Sequence, residues 1–252
     1  MLARMLDFGR SSCSPALRAI AAAGALALLA AIPATAAVRN EHTLTLKPTS
    51  KFTNKSTAAT IRTDRNPPVG GRPLRVTKIV FALPEGTKFN TAAATRCSLA
   101  ALQAQGAAAC PAGTAIGGGT AVGITGTILG NVTQQVAVFA TDTGMAAVLT
   151  GVQSAVLPLT LSKHRITAVL PRLCLPPGTA ANDCAAGEAI LKSLDITLKA
   201  RTKGSGAKAR RLITTPRTCK TGRWKSRASY TYANGDTETV TSTAQCRRPS
   251  RR

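Results

Sequence analysis

Carboxylates, histidines and aromatic rings are all scarce in this sequence. Its 10 Asp and Glu face 33 Lys and Arg, and it has two His, one Trp and two Tyr. Beyond the N-terminal segment the nine carboxylates are scattered without pairing, and neither GxSxG nor HExxH occurs. No acid–base pair, nucleophile elbow or metalloprotease helix is therefore written in the chain. Cys-x-x-Cys spacing is missing too, and no histidine stands near a cysteine, which argues against zinc. No catalytic, cofactor or metal residue is assigned on these grounds. One opening remains at His164, in the basic stretch Ser162-Lys163-His164-Arg165, because a triad assembles in space and not along the chain.

Long apolar runs are also lacking. The stretch Ala19 to Ile32 is 14 residues, short of the about 20 that a bilayer-spanning helix needs. It is preceded by Arg4, Arg10 and Arg18 and followed by Ala34-Thr35-Ala36, so residues 1–36 read as a cleaved secretory signal peptide. No transmembrane segment is expected in the mature chain. Residues 37–252 carry 30 basic and 9 acidic side chains, a balance of +21 that favours anionic partners. For an exported protein those are wall polymers, phospholipid headgroups or acidic polysaccharides before nucleic acid.

Removal of the signal takes away Cys13 and leaves an even six: Cys97, Cys110, Cys174, Cys184, Cys219 and Cys246. In an oxidising compartment they read as a disulfide framework. Of 15 possible connectivities, pairing of sequence neighbours is expected: Cys97 with Cys110, Cys174 with Cys184, Cys219 with Cys246.

What the chain does have is strand pattern. Residues 42–47 and 193–199 alternate apolar and polar, and 75–81, 132–141, 146–150 and 165–170 are short β-branched runs bounded by turn formers. Leu157-Pro158-Leu159-Thr160-Leu161 lacks the Gly of a sortase signal and reads as a strand with an internal proline. Leu99 to Gln105 is the one expected helix, with Ser98 as N-cap and Gly106 at its end. From Cys97 to Ser162 the only charged residue is Asp142, which marks this zone as core. Gly117 to Gly123 has no helix signal after it and no Lys-Ser or Lys-Thr, so it reads as a closely packed or bulged strand and not as a phosphate loop. The expected fold class is all-β: an antiparallel sandwich or barrel-like domain over residues 37–246, with one short helix and a C-terminal β-hairpin. A basic tail, 247–252, follows.

The hairpin is the sharpest local signal. Asn234-Gly235 predicts a two-residue type I′ turn, pairing Ala233 with Asp236, Tyr232 with Thr237 and Thr231 with Glu238. Trp224, Tyr230 and Tyr232 share parity and project from one strand face, while Lys225 and Arg227 project from the other. Packing of the rings on the core is the expected role, ahead of a platform for sugar rings.

LPEGTKFN at 83–90, Cys97 followed by Cys110-Pro111 and a glycine-rich strand, and TPRTC at 215–219 leading to GRW and the YANGDTET hairpin closed by Cys246 are distinctive together. On these motifs the chain resembles a family of exported proteins of high-GC Gram-positive bacteria, over most of residues 75–246. The resemblance implies an exported β-rich domain with paired cysteines, and it carries no activity.

Between Lys199 and Arg227 there are 11 basic residues and no acidic one. Lys199, Arg201, Lys203, Lys208, Arg210, Arg211, Arg217, Lys220, Arg223, Lys225 and Arg227 form the candidate anion-binding set. They predict a secreted or envelope-associated, non-catalytic β protein that binds an anionic cell-wall polymer or polysaccharide by charge. An extracytoplasmic enzyme of unknown reaction is the alternative. Specific nucleic-acid binding is a poorer reading, since Lys208, Arg210 and Arg211 lack interleaved aromatics and would grip phosphate without preference for sequence.

Overall fold

The computed structural model describes residues 41–66, 74–125, 130–151, 154–174, 184 and 187–248. The expected signal peptide and residues 249–252 of the basic tail lie outside them. Its strands are β1 (Glu41–Pro48), β2 (Ala59–Asn66), β3 (Val76–Ala82), β4 (Lys88–Phe89), β5 (Arg96–Cys97) and β6 (Gly117–Thr125). They continue as β7 (Asn131–Thr141), β8 (Met145–Thr150), β9 (Ala155–Ser162), β10 (Arg165–Val169) and β11 (Ala189–Leu198). The last are β12 (Thr202–Lys203), β13 (Arg210–Arg211), β14 (Ile213–Thr214), β15 (Arg223–Tyr232) and β16 (Thr237–Gln245). The helix α1 spans Leu99–Gln105, with the Ser98 side chain accepting from the Ala101 amide and Gly106 at positive φ, as its caps predicted.

Among the described residues, eleven strands join in the order β1-β2-β11-β6-β7-β8-β9-β10-β3-β15-β16. Every neighbouring pair along that path is antiparallel. Strands that alternate in direction and are odd in number leave the first and last pointing the same way. β1 and β16 meet as such a parallel pair. His42 lies against Glu238, the Leu46 amide donates to Ser242 Oγ, and the Arg247 amide donates to the Lys51 carbonyl, each pair 196 residues apart. A parallel bridge between Phe52 and Arg247 ends the seam, so Arg247 belongs to the fold and not to the tail. Of the two all-β architectures expected from sequence, the chain adopts the barrel-like one. Among the described residues, β1 and β16 are held mostly by side chains, with no continuous backbone ladder between them.

The uncharged zone becomes the part of the barrel covered on both faces. Met145, Ala147 and Leu149 of β8 face the interior, while Ala146 and Val148 pack with Phe139 under α1 and Leu102, all of them buried. Full burial of Leu102 contributes about 2 kcal/mol. Asp142, the one charge of that zone, accepts hydrogen bonds from the Leu99 and Thr143 amides at 3.1 Å each. It serves an amide that the first turn of α1 leaves free. All three disulfides pair as expected, with Cα separations of 5.6, 4.7 and 5.8 Å.

The glycine-rich run is β6, a strand in the middle of the sheet. A Cβ at Gly119 would overlap the Asp195 carbonyl of β11 and one at Gly117 would meet Leu198 and the Thr197 carbonyl at 2.8 Å. β11 carries a bulge between Leu191 and Ser193, opposite Gly123 and Val122. Gly119→Ala should therefore force the two strands apart and cost about 2 kcal/mol, read as a lower denaturant midpoint with the same slope. Pro158 sits where it removes little: its partner is Ala146 in β8, and the β9–β10 ladder stops one residue short of it, at Leu159.

The hairpin turn departs from expectation. Thr231 pairs with Thr237 and Tyr230 with Glu238, one residue out of the register a two-residue turn imposes. Ala233, Asn234 and Gly235 form a three-residue loop closed by the Tyr232 amide on the Asp236 carbonyl at 2.9 Å. A type I′ turn needs positive φ at both central residues, and here Gly235 has it, at +89°, but Asn234 does not. The Asn234 carboxamide oxygen instead accepts from the Asp236 amide at 3.1 Å, which offers the chain a local alternative.

Candidate anion-binding site

Two of the motifs that carry the resemblance, 83–90 and 215–219, meet at one end of the barrel. In the first, Pro84-Glu85-Gly86-Thr87 is a turn closed by the Thr87 amide on the Pro84 carbonyl, and the φ of +87° at its third residue requires Gly86. It delivers β4, which pairs with β14 so that Lys88 faces Thr214 and Phe89 faces Ile213. The second motif, 215–219, continues from β14. Thr215 fastens a third segment by accepting from the Lys55 amide at 2.9 Å and donating to the Phe52 carbonyl at 2.7 Å. The Asn54 amide donates to the Pro216 carbonyl at 3.0 Å.

Between these segments lies a polar cleft of about 400 Å³. Lys88, Arg210, Arg211 and Arg217 line it together with Asn54 and Asn90, and among the described residues no carboxylate does. Glu85, next to Gly86 in the chain, is not part of the lining. Arg211 is anchored by donating to the Asn54 carbonyl at 3.0 Å, which leaves the rest of its fork free to face the cleft. None of the four cations belongs to an ion pair among the described residues. Unopposed guanidinium and ammonium groups around a concave surface are the donor set for phosphate, sulfate or clustered carboxylates.

Of the 11 candidate cations, the structure therefore gathers Arg210, Arg211 and Arg217. Lys203 stands beside Arg210 through the β12–β13 register, and Lys208 lies in the turn between those strands. Arg201 is spent on the fold, donating to the Gly113 carbonyl at 3.2 Å. Lys199 is exposed just past β11, and Lys220 is exposed before β15. Arg223, Lys225 and Arg227 project to solvent from the outer face of β15. Lys88 was absent from the candidate set. It lies in the 83–90 motif, but its pairing with Thr214 joins residues 126 apart.

The aromatic stripe faces inward. Trp224, Tyr230 and Tyr232 are buried, and Trp224 Nε1 donates to the Thr218 carbonyl at 2.9 Å. Tyr230 reaches beneath the two seam strands to Thr63 of β2, oxygen to oxygen 2.6 Å. The Tyr232 hydroxyl donates to Glu238 Oε2 at 2.8 Å and lies 3.1 Å from His42 Nε2. The two histidines are thus in unlike places. His164 occupies the turn between β9 and β10, without a side-chain hydrogen bond among the described residues. Among the described residues, no group of three or more His, Cys, Asp or Glu is placed to hold a metal ion, and no helix is long and apolar enough to cross a membrane.

His42 has a side chain 1 % exposed and sits 3.1 Å from Glu238 Oε2. Burial lowers its pKa from the ordinary 6.5, Glu238 pulls it back up, and Arg65 pushes it down again. Above pH 6.5 His42 is neutral whether folded or unfolded. Below it the unfolded chain takes the proton first, so stability should fall from there until the folded His42 also protonates. Denaturant midpoints at pH 7 and pH 5 check this, with His42→Gln expected to shrink the difference. His164, whose pKa is lowered by burial and then by Arg165, keeps a contribution of the same sign in that variant.

No protein-family model matches the chain, and no curated protein or solved structure is significantly similar to it.

Proposed function

We propose that this is an exported, non-catalytic binding protein that holds anionic groups of an extracytoplasmic polymer in the cleft of Lys88, Arg210, Arg211 and Arg217. The observation that carries this reading is the convergence of four cations from β4, β13 and the segment after β14, with no carboxylate in the lining among the described residues. Export is supported by the order of basic, apolar and small residues over 1–36, and three disulfides are compatible with an oxidising compartment. A polymer suits the site better than a single small anion, because exposed Lys203, Lys208 and Lys220 extend the positive surface beyond the cleft. A repeating anion such as a phosphodiester chain can engage both.

Retention of the mature protein on purified Gram-positive cell wall, followed across a salt series, tests the reading. Retention should weaken steeply as the Debye length shortens from about 30 Å at 0.01 M to about 8 Å at 0.15 M. Binding that ignores ionic strength overturns it.

A further inference from the structure

Eleven strands enclose more room than inward-facing side chains fill, since about eight already suffice to hold one small ligand. The two sides of the interior use that room differently. Against the seam it is occupied by Arg65, Tyr230 and Tyr232, all buried. Against β6 to β11 the inward positions include Ala121, Gly123, Ala147 and Ala168, and a cavity of about 120 Å³ remains. Among the described residues its walls are aliphatic apart from Phe81, Met145 and Arg75, and Arg75 is the only charged one of them. An engineered apolar cavity of about 150 Å³ stays dry and takes up benzene, so this one matches a chain of about six carbons.

The polar end of the cavity is built as carefully as the cleft at the other end of the barrel. Arg75 Nε lies 3.2 Å from Glu188 Oε1 and Arg172 Nη2 lies 3.7 Å from Glu188 Oε2, with the two arginine side chains 28 % and 43 % exposed. Arg65 stands behind them, donating to the carbonyls of Leu191 and Leu74 at 2.6 and 2.8 Å. Among the described residues two guanidinium groups, those of Arg75 and Arg172, therefore share the Glu188 carboxylate, and Glu188 Oε1 makes no hydrogen bond of its own. The Cys174–Cys184 disulfide holds this rim, because Cys174 bridges to Glu188 and the Ala189 amide donates to the Leu173 carbonyl.

We infer that the barrel interior binds one medium-chain carboxylic acid, its alkyl chain in the apolar cavity and its carboxylate at Arg75. The chain supplies affinity through burial, and the excess of positive charge among the described rim residues, Arg75 and Arg172 against Glu188, selects the anionic head over a neutral or cationic one. This site is separate from the polymer cleft and does not depend on it.

Titration calorimetry of the mature protein with butanoate, hexanoate and octanoate, and with octanol and octylamine as head-group controls, tests the inference. Octanoate should bind one per chain, with affinity rising roughly fourfold for each added methylene. Octylamine should bind at least tenfold more weakly. Arg75→Gln should remove that preference while leaving octanol unchanged, and Ala147→Leu, checked for a native circular-dichroism spectrum, should weaken octanoate at least tenfold. A protein carrying R210E and R217E should bind octanoate as the parent does. Failure of octanoate to saturate, an affinity that is flat with chain length, or an R75Q protein that loses octanol as much as octanoate overturns the inference. The chain-length and head-group series use the unaltered protein and decide the matter even if A147L does not fold.

Discussion

Arg210→Glu combined with Arg217→Glu should lower affinity for cell wall by roughly 100-fold or more at moderate salt. The two arginines come from different segments and line one cleft with Lys88 and Arg211. Loss of one charge-assisted hydrogen bond from each costs about 1.5 kcal/mol, hence about 3 kcal/mol for the pair before the added repulsion of two carboxylates. The control is Lys225→Glu with Arg227→Glu. Those side chains are exposed on the outer face of β15, and the change in net charge is the same. It should move affinity by less than about threefold, as distant surface charges are screened. Equal losses in the two double variants would mean that binding follows overall charge and that the cleft has no special part. Both pairs are solvent-facing, so thermal stability should stay near that of the parent.

Arg65→Ala should destabilise the barrel by about 4 kcal/mol, lowering the midpoint of thermal unfolding by roughly 10 °C. Arg65 is fully buried, and burial lowers its pKa while the nearby tyrosines raise it. Its guanidinium lies 5.4 Å from the Tyr232 ring centre and holds the Leu191 and Leu74 carbonyls. Arg65 of β2 with Tyr232 of β15, and Thr63 with Tyr230 beside them, tie together the strands that flank the seam on either side. A seam without a continuous ladder depends on these bonds. Replacement by alanine removes two charge-assisted hydrogen bonds and opens a hole. Arg65→Met separates the contributions, because it keeps most of the volume and loses only the bonds. A loss of less than about 1 kcal/mol in the alanine variant would show that the flanking ties do little for closure. Equal stability of the methionine variant and the parent would show that volume is what matters.

Much of the fold was legible from local pattern. Alternation placed β1 and the second half of β11, which begins at Ala189; β-branched runs placed β3, β7, β8 and β10 near their observed bounds; and the Ser98 and Gly106 caps delimited α1. The disulfides followed from nearest-neighbour spacing, and the inward parity of Trp224, Tyr230 and Tyr232 followed from strand period. The hairpin register did not follow, because Asn-Gly serves two turns and Asn234 takes the one without positive φ. In the candidate cleft, residues 210, 211 and 217 belonged to a visible basic run, but 11 cations on one stretch of chain carry no sign of which ones converge. Lys88 joins them through the pairing of β4 with β14, a contact between residues 126 apart.

By itself, then, the sequence determined an all-β chain, the expected nearest-neighbour pairing of its cysteines, its surplus of positive charge and the inward face of the C-terminal hairpin strand. These are properties of period two, of spacing and of composition, all of which act within a few residues or do not depend on position. Only the tertiary structure decided that the strands number eleven around a barrel with a parallel seam. It also set Lys88 among Arg210, Arg211 and Arg217, and left a cavity with Arg75 at its rim. Those outcomes rest on which distant strands become neighbours. Closure of a sheet is a condition on all of its strands together, and no segment read alone contains it.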